Sequence, residues 1–257
     1  MIIHKTALVH PDAVLADDVE IGPNTIISDK ANIGPGVKIG ANVIVSGSVE
    51  IGDKCQIFTG AVIGTEPQDL KYKGEETRVS IGKNTTIREY VTINRGTTST
   101  GETRVGDNCL LMAYVHVAHD CIVGNNVVLA NCATLAGHVV AEDKSIVGGL
   151  SAVHQFTRIG TMSIVGGGSR VSKDIPPFCK AAGTPIRMFG LNTVGLQRSN
   201  FSSSVREQLK RTYKTMFRSK MNTTQAIKYL EKNSDLCDEV KYFIAFIKES
   251  ERGICKE

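Results

Sequence analysis

The stretch Tyr114-Val-His-Val-Ala-His-Asp-Cys-Ile-Val-Gly-Asn-Asn-Val-Val-Leu-Ala-Asn-Cys-Ala-Thr-Leu-Ala-Gly-His138 decides the fold. Aliphatic residues recur in it at every sixth position, namely Val117, Val123, Leu129 and Leu135. The same spacing runs from Ile3 to Val171, and only Asp69, Glu75, Ser99 and Ala141 interrupt it. Neither the period of an α-helix nor a heptad produces a repeat of six. A hexapeptide repeat is typical of a parallel β-helix.

In this fold each hexapeptide forms a short strand and a turn, and three hexapeptides complete one coil of a prism. We expect the sixth-position aliphatic residues, and the small or β-branched residues two positions before them, to point inward. Successive coils should stack about 4.8 Å apart, the spacing of hydrogen-bonded strands. Glycine often follows the aliphatic residue, as in Ile21-Gly22 and Val123-Gly124. We expect this glycine to relieve the turn by adopting a positive φ.

Two segments leave the repeat, and the C-terminal part abandons it. Residues 65–80 and 94–104 predict excursion loops, which are frequent carriers of binding residues. The repeat ends at Asp174-Ile-Pro-Pro-Phe178, because consecutive prolines cannot donate to a strand ladder. We predict a mainly β chain with a parallel β-helix over residues 1–183 and a small helical domain over 184–257. Its helices should cover about 202–218, with a serine cap, 222–232 and 236–250.

Composition excludes several classes of protein. A hydrophobic content of 41% is ordinary for a globular chain, and no run of 18 apolar residues predicts a membrane span. No signal peptide is expected at the N-terminus. The seven cysteines have no zinc-site spacing, and Cys55, Cys109 and Cys121 occupy inward positions, where a free thiol acts as a small hydrophobic group. We therefore expect a reducing, cytoplasmic location.

The net charge of +4 is unevenly distributed. Between Arg198 and Lys228, Glu207 is the only acidic residue among many lysines and arginines. Such a run is either a solvated helix face or a docking surface for an acidic partner. Nucleic acid is not expected as a partner, because aromatic residues are poorly interleaved with the basic ones and no binding motif is present.

Four of the six histidines fall in one part of the repeat. Dividing the residue number by 18 leaves 8 for His116, 11 for His119, 12 for His138 and 10 for His154. These values avoid the inward phases, so we expect all four side chains to point outward on consecutive coils. In the absence of a functional site, these would be four unrelated surface histidines. Their clustering within one column favours a functional site.

The neighbours of these histidines suggest two kinds of chemistry. Asp120 follows His119 and could orient it as a general base, while the N–H of Gly137 could stabilise an oxyanion. No serine or cysteine lies in a recognisable nucleophile motif, which favours direct transfer over a covalent intermediate. Alternatively, His116 and His119 could be zinc ligands shared between the chains of a trimer.

Six short motifs carry a resemblance to a known family. They are Val117-Ala-His-Asp-Cys121, Leu135-Ala-Gly-His138, Ala152-Val-His-Gln-Phe156, Gln68-Asp-Leu-Lys-Tyr72, Phe189-Gly-Leu-Asn192 and Gly195-Leu-Gln-Arg198. In these motifs the chain resembles the UDP-N-acetylglucosamine O-acyltransferases of lipid A biosynthesis, part of the lipopolysaccharide pathway. The resemblance covers essentially the whole chain, including the helical tail.

The resemblance implies a left-handed β-helix that assembles as a homotrimer with active sites between subunits. The handedness comes from the resemblance alone, since β crossovers are normally right-handed. The implied reaction moves a (R)-3-hydroxyacyl chain from acyl carrier protein to the 3-hydroxyl of UDP-N-acetylglucosamine. It needs no metal and no resident cofactor, because phosphopantetheine enters on the carrier protein.

The resemblance also implies a role for each matching residue. His119 would be the base, oriented by Asp120, and Gly137 the oxyanion donor. The acceptor pocket would comprise His116, His138, His154 and Gln155, with Gln68, Asp69 and Lys71 from the first excursion loop of a neighbouring subunit. Asn192 and Arg198 would contact the donor arm or the nucleotide, and Gly167 would set acyl-chain length. The acidic carrier protein would dock on Arg206, Lys210, Arg211, Lys214 and Arg218.

Some features leave alternatives open. Val194 stands where family members carry an acidic residue, and residues 183–187 differ from the family pattern. Acyl-chain length and the choice between a 3-hydroxy and a 3-amino sugar acceptor stay open. A coenzyme A-dependent hexapeptide acetyltransferase and a zinc-dependent β-helical hydratase remain alternative functions. A purely structural solenoid would leave the clustering of the four histidines unexplained.

Overall fold

The computed structural model describes residues 1–256, which form short strands and four helices. The strands are β1 (Ile2–Ile3), β2 (Leu8–Val9), β3 (Val14–Leu15), β4 (Glu20–Ile21), β5 (Ile26–Ile27), β6 (Ala31–Ile33), β7 (Lys38–Ile39), β8 (Ile44–Val45), β9 (Ser48–Ile51), β10 (Gln56–Ile57), β11 (Val62–Thr65), β12 (Arg78–Ile81), β13 (Thr86–Ile87) and β14 (Thr92–Asn94). They continue with β15 (Glu102–Val105), β16 (Leu110–Leu111), β17 (His116–Val117), β18 (Ile122–Val123), β19 (Val128–Leu129), β20 (Thr134–Leu135), β21 (Val140–Ala141), β22 (Ile146–Val147), β23 (Ala152–Val153), β24 (Arg158–Ile159), β25 (Ile164–Val165), β26 (Arg170–Val171), β27 (Cys179–Ala182) and β28 (Arg187–Leu191). The helices are α1 (Thr193–Arg198), α2 (Ser203–Phe217), α3 (Thr223–Leu230) and α4 (Asp238–Lys248).

The strands form three sheets, one on each side of a prism, and all strand pairs except β27–β28 are parallel. The first sheet has the order β1-β4-β7-β10-β13-β16-β19-β22-β25-β27-β28, the second β2-β5-β8-β11-β14-β17-β20-β23-β26, and the third β24-β21-β18-β15-β12-β9-β6-β3. Every third strand therefore pairs in parallel with the strand one coil away. Ile3 pairs with Ile21, for example, and Val117 pairs with Leu135. The predicted left-handed parallel β-helix is confirmed.

The two inward positions of the repeat fill the prism as expected. Val117, Leu129 and Leu135 have no exposed surface, and neither do Val115 and Ala133, which lie two residues before an aliphatic position. The cysteines predicted to face inward are buried as well, namely Cys55, Cys109 and Cys121. Each coil thus buries its own apolar side chains against those of its neighbours, and stability accumulates from coil to coil.

The expected positive φ is wrong for most of the glycines that follow an aliphatic residue, although Gly64, after Ile63, has a φ of 82°. Gly22 and Gly124 do not have a positive φ, whereas the turn residues Asn24 and Asn126 do, with φ of 57° and 56°. Asparagine tolerates this left-handed conformation better than most residues. The glycines are needed because neighbouring coils approach closely. A Cβ on Gly22 would lie 2.7 Å from the backbone carbon of the next coil's glycine.

The two excursion loops pack against each other. The first connects β11 to β12 and the second connects β14 to β15. Arg95 in the second loop donates to the Tyr72 hydroxyl of the first loop at 2.8 Å and forms an ion pair with Glu66 at 3.3 Å. The Arg95 side chain is only 15% exposed. The first loop is therefore fixed to the prism by a buried guanidinium group.

Strands continue beyond the predicted end of the β-helix. β27 pairs in parallel with β25, and β28 then adds to the same sheet in the antiparallel direction. Residue 183, where we predict the boundary of the two domains, lies inside this hairpin, and the sheet extends to Leu191. A single antiparallel hairpin does not follow the hexapeptide spacing, so the repeat gives no signal for it.

The three predicted helices are present, in slightly shorter form. α2, α3 and α4 lie within the predicted ranges, and the Ser202 side chain caps α2 by accepting from the Val205 N–H at 3.2 Å. α3 has a capping box formed by Asn222 and Gln225. The short helix α1 has no counterpart in the sequence prediction. No helix among residues 1–256 combines the length and apolar character required to cross a membrane.

The helices are attached to the last coils of the prism. The Arg158 guanidinium lies 4.4 Å from the centre of the Phe246 ring and pairs with Glu142 at 3.0 Å. Glu142 also accepts hydrogen bonds from the Tyr242 hydroxyl and, at 2.9 Å, from the Thr161 N–H. Phe246 is fully buried. The helical part thus covers one end of the prism, as a β-helix requires of a cap.

The alternation of buried and exposed positions gives a direct stability test. Leu135→Ala should lower the free energy of unfolding by about 2–5 kcal/mol, because it leaves a cavity between stacked coils. Its neighbour Thr134 points outward from the same strand, so Thr134→Ala should change the free energy by less than about 0.5 kcal/mol. Chemical denaturation monitored by circular dichroism measures both. Equal losses for the two variants would contradict the assignment of inward and outward positions.

Candidate active site

The parallel register stacks three turns at one corner of the prism, between the second and third sheets. The turns follow β17, β20 and β23, and we call residues 118–120, 136–138 and 154–156 the histidine corner. The His138 N–H donates to the carbonyl of His119 at 3.0 Å, and the Phe156 N–H donates to the carbonyl of Gly137 at 3.2 Å. Residues far apart in sequence therefore lie on consecutive levels of one surface.

His119 and Asp120 form a hydrogen-bonded pair. The His119 Nδ1 lies 2.7 Å from Asp120 Oδ2, and the two side chains are 14% and 0% exposed. An ionised carboxylate only accepts hydrogen bonds, so the pairing places the imidazole proton on Nδ1. The Nε2 atom is then left with its lone pair, as a general base requires.

The Asp120 carboxyl is held by the second excursion loop as well as by His119. Oδ1 accepts from the Thr97 N–H at 2.9 Å and from the Thr100 hydroxyl, and Oδ2 accepts from the Thr97 hydroxyl at 2.8 Å. Burial acts to raise the pKa of this carboxyl, but the hydrogen bonds from Thr100, His119 and Thr97 outweigh it and lower the pKa to about 2. Asp120 is therefore an anion at neutral pH.

Gly137 lies directly against the imidazole of His119. A Cβ on Gly137 would lie 2.6 Å from Cε1 and 2.7 Å from Nε2 of that ring, so only glycine fits. Within residues 1–256 no acceptor engages the Gly137 N–H. A base nitrogen and a free backbone donor thus lie side by side, which suits addition of a hydroxyl to a carbonyl group.

His138 is packed between two rings. It stacks on Phe156, with centroids 4.4 Å apart, and meets His119 edge-on at 5.2 Å. Burial lowers the pKa of His138, and the nearby His119 lowers it further. The carboxylates of Asp120 and Asp69 act in the opposite direction without cancelling the effect. His138 is therefore neutral at pH 7.

His116 lies on β17 beside the corner. Its Nδ1 lies 2.7 Å from the Thr92 hydroxyl, on the neighbouring strand β14. Burial lowers the pKa of His116, and the nearby His119 lowers it further. His116 therefore presents a neutral, oriented imidazole next to the base.

Other residues predicted for the acceptor pocket lie at its edge. His154 and Gln155 are exposed, and the His154 ring contacts only the Gln155 carbonyl at 3.1 Å among the described hydrogen bonds. In the first excursion loop Gln68 and Lys71 are exposed, and the Asp69 side chain accepts from the Lys71 N–H at 3.0 Å. The chain brings His116, His119, Asp120, Gly137 and His138 together but leaves His154, Gln155, Gln68 and Lys71 open to solvent.

The residues predicted to contact the donor lie in the C-terminal part. The Asn192 side chain is engaged within the chain, because it donates to the Met162 carbonyl at 2.9 Å and caps α1 by accepting from the Gly195 N–H. Arg198 is exposed in the last turn of α1. Gly167 is exposed at another corner of the prism, where a Cβ would lie 3.2 Å from the Gly149 carbonyl oxygen.

The predicted docking residues lie on helix α2, with Arg218 as its C-cap. Lys210, Arg211, Lys214 and Arg218 are exposed, and Arg206 is partly buried. Arg211 pairs with Glu207 at 3.6 Å, and both of these side chains are largely exposed. The helix therefore presents a basic surface on the capped end of the molecule.

A metal ion bound through Asp120 would displace hydrogen bonds that this carboxylate already accepts. His119, Asp120 and His138 can each offer one atom within 4.8 Å of the others. However, both Asp120 oxygens already accept hydrogen bonds from Thr97, Thr100 and His119, and ligation through Nδ1 would break the bond that orients the base. His116, a ligand in the zinc hypothesis, is already bonded to Thr92 through Nδ1.

Sequence reasoning missed four residues that build the site. Thr97, Thr100 and Thr103 bond to the side chain or backbone of Asp120, and Phe156 supports His138. Thr97 and Thr100 lie in a loop without repeat, so spacing could not place them, whereas Thr103, two positions before Val105, occupies an inward position of the repeat. Phe156 shares its phase with His138, eighteen residues earlier, and this phase could have identified it.

Comparison with known proteins identifies relatives along the whole chain. The family described as Udp N-acetylglucosamine O-acyltransferase, Domain 2, matches residues 174–255, and six bacterial transferase hexapeptide repeats match residues 102–137. The acyl-[acyl-carrier-protein]–UDP-N-acetylglucosamine O-acyltransferase of Thermodesulfovibrio yellowstonii is 48% identical over 99% of both chains. The crystal structure of the UDP-N-acetylglucosamine acyltransferase of Bacteroides fragilis superposes with a TM-score of 0.95 at 42% identity, covering 98% of this chain and 99% of that one. The Arabidopsis UDP-N-acetylglucosamine acyltransferase superposes with a TM-score of 0.87 at 36% sequence identity, covering 99% of this chain and 100% of that one.

The lowered pKa of Asp120 predicts a pH-dependent contribution to stability. A depressed carboxyl pKa stabilises the folded state above the unfolded value of 3.8, and this contribution is lost as the pH falls toward about 2. Denaturation at several pH values should therefore show Asp120→Asn less stable than the original chain at pH 6. Of that difference, about 2 kcal/mol should disappear between pH 5 and pH 2. A difference that does not change with pH would contradict the ionised state.

Proposed function

The chain belongs to the UDP-N-acetylglucosamine O-acyltransferase family, and we propose that it transfers a (R)-3-hydroxyacyl chain from acyl carrier protein to the 3-hydroxyl of UDP-N-acetylglucosamine. It is an acyltransferase of lipid A biosynthesis. The observation that carries the proposed mechanism is the contact between the His119 ring, oriented by Asp120, and the backbone of Gly137.

In the proposed mechanism His119 acts as a general base. Its Nε2 takes the proton of the sugar 3-hydroxyl while that oxygen attacks the thioester carbonyl. The carbonyl oxygen becomes an oxyanion and accepts a hydrogen bond from the Gly137 N–H. Collapse of the adduct breaks the C–S bond, and the imidazolium returns the proton to the leaving thiolate. A positioned base supplies roughly 10²–10⁴-fold and one oxyanion donor roughly 10²–10³-fold.

The Asp120 carboxylate stabilises the positive charge that develops on His119 in this step. The imidazole of His119 becomes positively charged as it accepts the proton, and the neighbouring carboxylate stabilises that charge. The carboxylate is fully buried, so water does not screen the interaction. His116 and His138, whose pKa values are lowered by burial, stay neutral and do not repel the developing charge.

We assign the acceptor pocket to the groups around the corner. His116, His138, His154 and Gln155 provide imidazole and amide groups for the sugar and diphosphate, and Gln68, Asp69 and Lys71 extend from the loop. A 3-amino sugar would use the same base. As the family resemblance implies, these loop residues would come from a neighbouring subunit.

We further propose that the active molecule is a homotrimer. Support comes from the outward face of the second sheet, where Leu8, Ile26 and Ile44 form an apolar column with exposures of 66%, 43% and 36%. An apolar column of this kind marks an interaction surface. In the assembly, Arg198 and the α1 region capped by Asn192 would reach the donor arm or the nucleotide, and Gly167 would limit the acyl chain.

The carrier protein is assigned to the basic surface of α2. Acyl carrier proteins are acidic, and the exposed lysines and arginines of this helix are the complementary surface. The carrier brings its own phosphopantetheine, so the proposal includes no resident cofactor and no metal.

Replacement of His119 tests the base directly. His119→Ala should lower turnover by about 10²–10⁴-fold while leaving the circular dichroism spectrum unchanged, since the ring is not part of the prism core. His10→Ala, at an exposed histidine of the N-terminal coil, is the matched control and should keep full activity. Substantial turnover in His119→Ala would contradict the assignment.

Charge reversal tests the docking surface. Changing Arg206, Lys210 and Lys214 together to Glu should raise the KM for acyl carrier protein and leave the KM for the sugar nucleotide unchanged. Lys228→Glu combined with Lys232→Glu alters exposed charges outside α2 and should have little effect. The effect of the α2 substitutions should weaken at high salt. An unchanged KM for the carrier would indicate that the helix face is merely solvated.

A further inference from the structure

We infer that Thr97 and Thr100, in the loop between β14 and β15, are positioning residues that direct Asp120 toward His119. This inference rests on the proposed role of His119 as the base. Neither threonine bonds to an imidazole of the histidine corner. Both bond to Asp120, the residue on which the orientation of the base depends.

The hydrogen bonds around Asp120 use both carboxylate oxygens. Oδ1 accepts from the Thr97 N–H and the Thr100 hydroxyl, and Oδ2 accepts from the Thr97 hydroxyl and His119. A carboxylate offers about four acceptor positions, so these four partners occupy it fully. The group cannot rotate without breaking at least one charge-assisted hydrogen bond. The loop therefore fixes the plane of the carboxylate.

This restriction matters because a second imidazole, that of His138, lies near the same oxygen. The Nε2 of His138 lies 3.6 Å from Asp120 Oδ2, close enough for an ion pair but beyond hydrogen-bonding distance, whereas the His119 Nδ1 lies at 2.7 Å. A small rotation of a free carboxylate would exchange one partner for the other. The threonine hydroxyls keep Asp120 paired with His119, and the base keeps its proton on Nδ1.

The loop is itself anchored to the prism, so it can act as a rigid support. The Thr77 hydroxyl donates to the Gly96 carbonyl at 2.6 Å, and the Gly101 N–H donates to the Thr97 carbonyl at 2.7 Å. The Arg78 N–H donates to the Gly101 carbonyl at 3.0 Å. The interruption of the repeat at 94–104 thus supplies donors that a regular coil would not place beside Asp120.

Paired substitutions separate the hydroxyl from the bulk of each threonine. Valine keeps the shape and removes the hydroxyl, whereas serine keeps the hydroxyl and removes a methyl group. Thr100→Val and Thr97→Val should each lower kcat by about tenfold or more, within the contribution of a positioned base, with an unchanged KM for the sugar nucleotide. Thr100→Ser and Thr97→Ser should retain kcat. Thr98→Val, at an exposed neighbour, is the control.

The reverse ranking, with serine damaging and valine harmless, would show a packing role and overturn the inference. Equal effects of the two replacements would also overturn it. Circular dichroism and thermal unfolding establish that each variant is folded before its kinetics are compared.

A second readout does not depend on turnover. The pKa of the Asp120 carboxyl, followed by carbon-13 NMR, should rise from about 2 in Thr100→Val and stay low in Thr100→Ser. An unchanged pKa in the valine variant would overturn the inference even in an active enzyme. A raised pKa, together with full turnover in His119→Ala, would support the role of the threonines and refute His119 as the base.

Discussion

The whole molecule depends on the parallel hydrogen bonding of each coil to the next in a fixed register. Because Val117 pairs with Leu135 and Leu135 with Val153, the turns that follow these residues stack directly above one another. Stacking brings His119 against Gly137 although the two are far apart in sequence. A shift of one residue in this register would turn the aliphatic side chains outward and separate the site residues. The core and the candidate active site are therefore products of the same constraint.

The stack also maintains a strained backbone at the site. Asp120, His138 and Phe156 have φ of 59°, 63° and 63°, in a region that side chains larger than glycine or asparagine seldom adopt. Corresponding turns elsewhere in the prism have the same positive φ, some with asparagine, such as Asn126, and others with larger residues, such as Tyr114 and Leu150. The conformation is thus a property of the coil turns in general, and the stacked coils offset its cost of about 1–3 kcal/mol per residue at the histidine corner as elsewhere.

The structural features that follow the period of six can be predicted from the sequence. Leu135 as a core residue and the convergence of His119 with His138 follow from their phases in the repeat. The role of the glycine after the aliphatic residue was predicted wrongly, because it depends on the close approach of two coils, which the sequence of a single coil does not reveal. Thr97 and Thr100 were missed, since the loop that carries them has no phase. The hairpin that ends at Leu191 was missed for the same reason. Contacts that recur with the repeat can therefore be predicted from the sequence, whereas contacts that occur only once in the molecule cannot.

The central claim is that this corner transfers an acyl chain to the 3-hydroxyl of UDP-N-acetylglucosamine without a metal. The most direct measurement mixes the purified chain with that sugar nucleotide and a series of 3-hydroxyacyl carrier proteins in the presence of a chelator. Mass spectrometry and NMR of the product then identify the acyl chain and the acylated oxygen. One product, acylated at the 3-hydroxyl and formed at the same rate with and without chelator, is the predicted result. Product formation that requires added metal, or acylation at another position, would contradict the account.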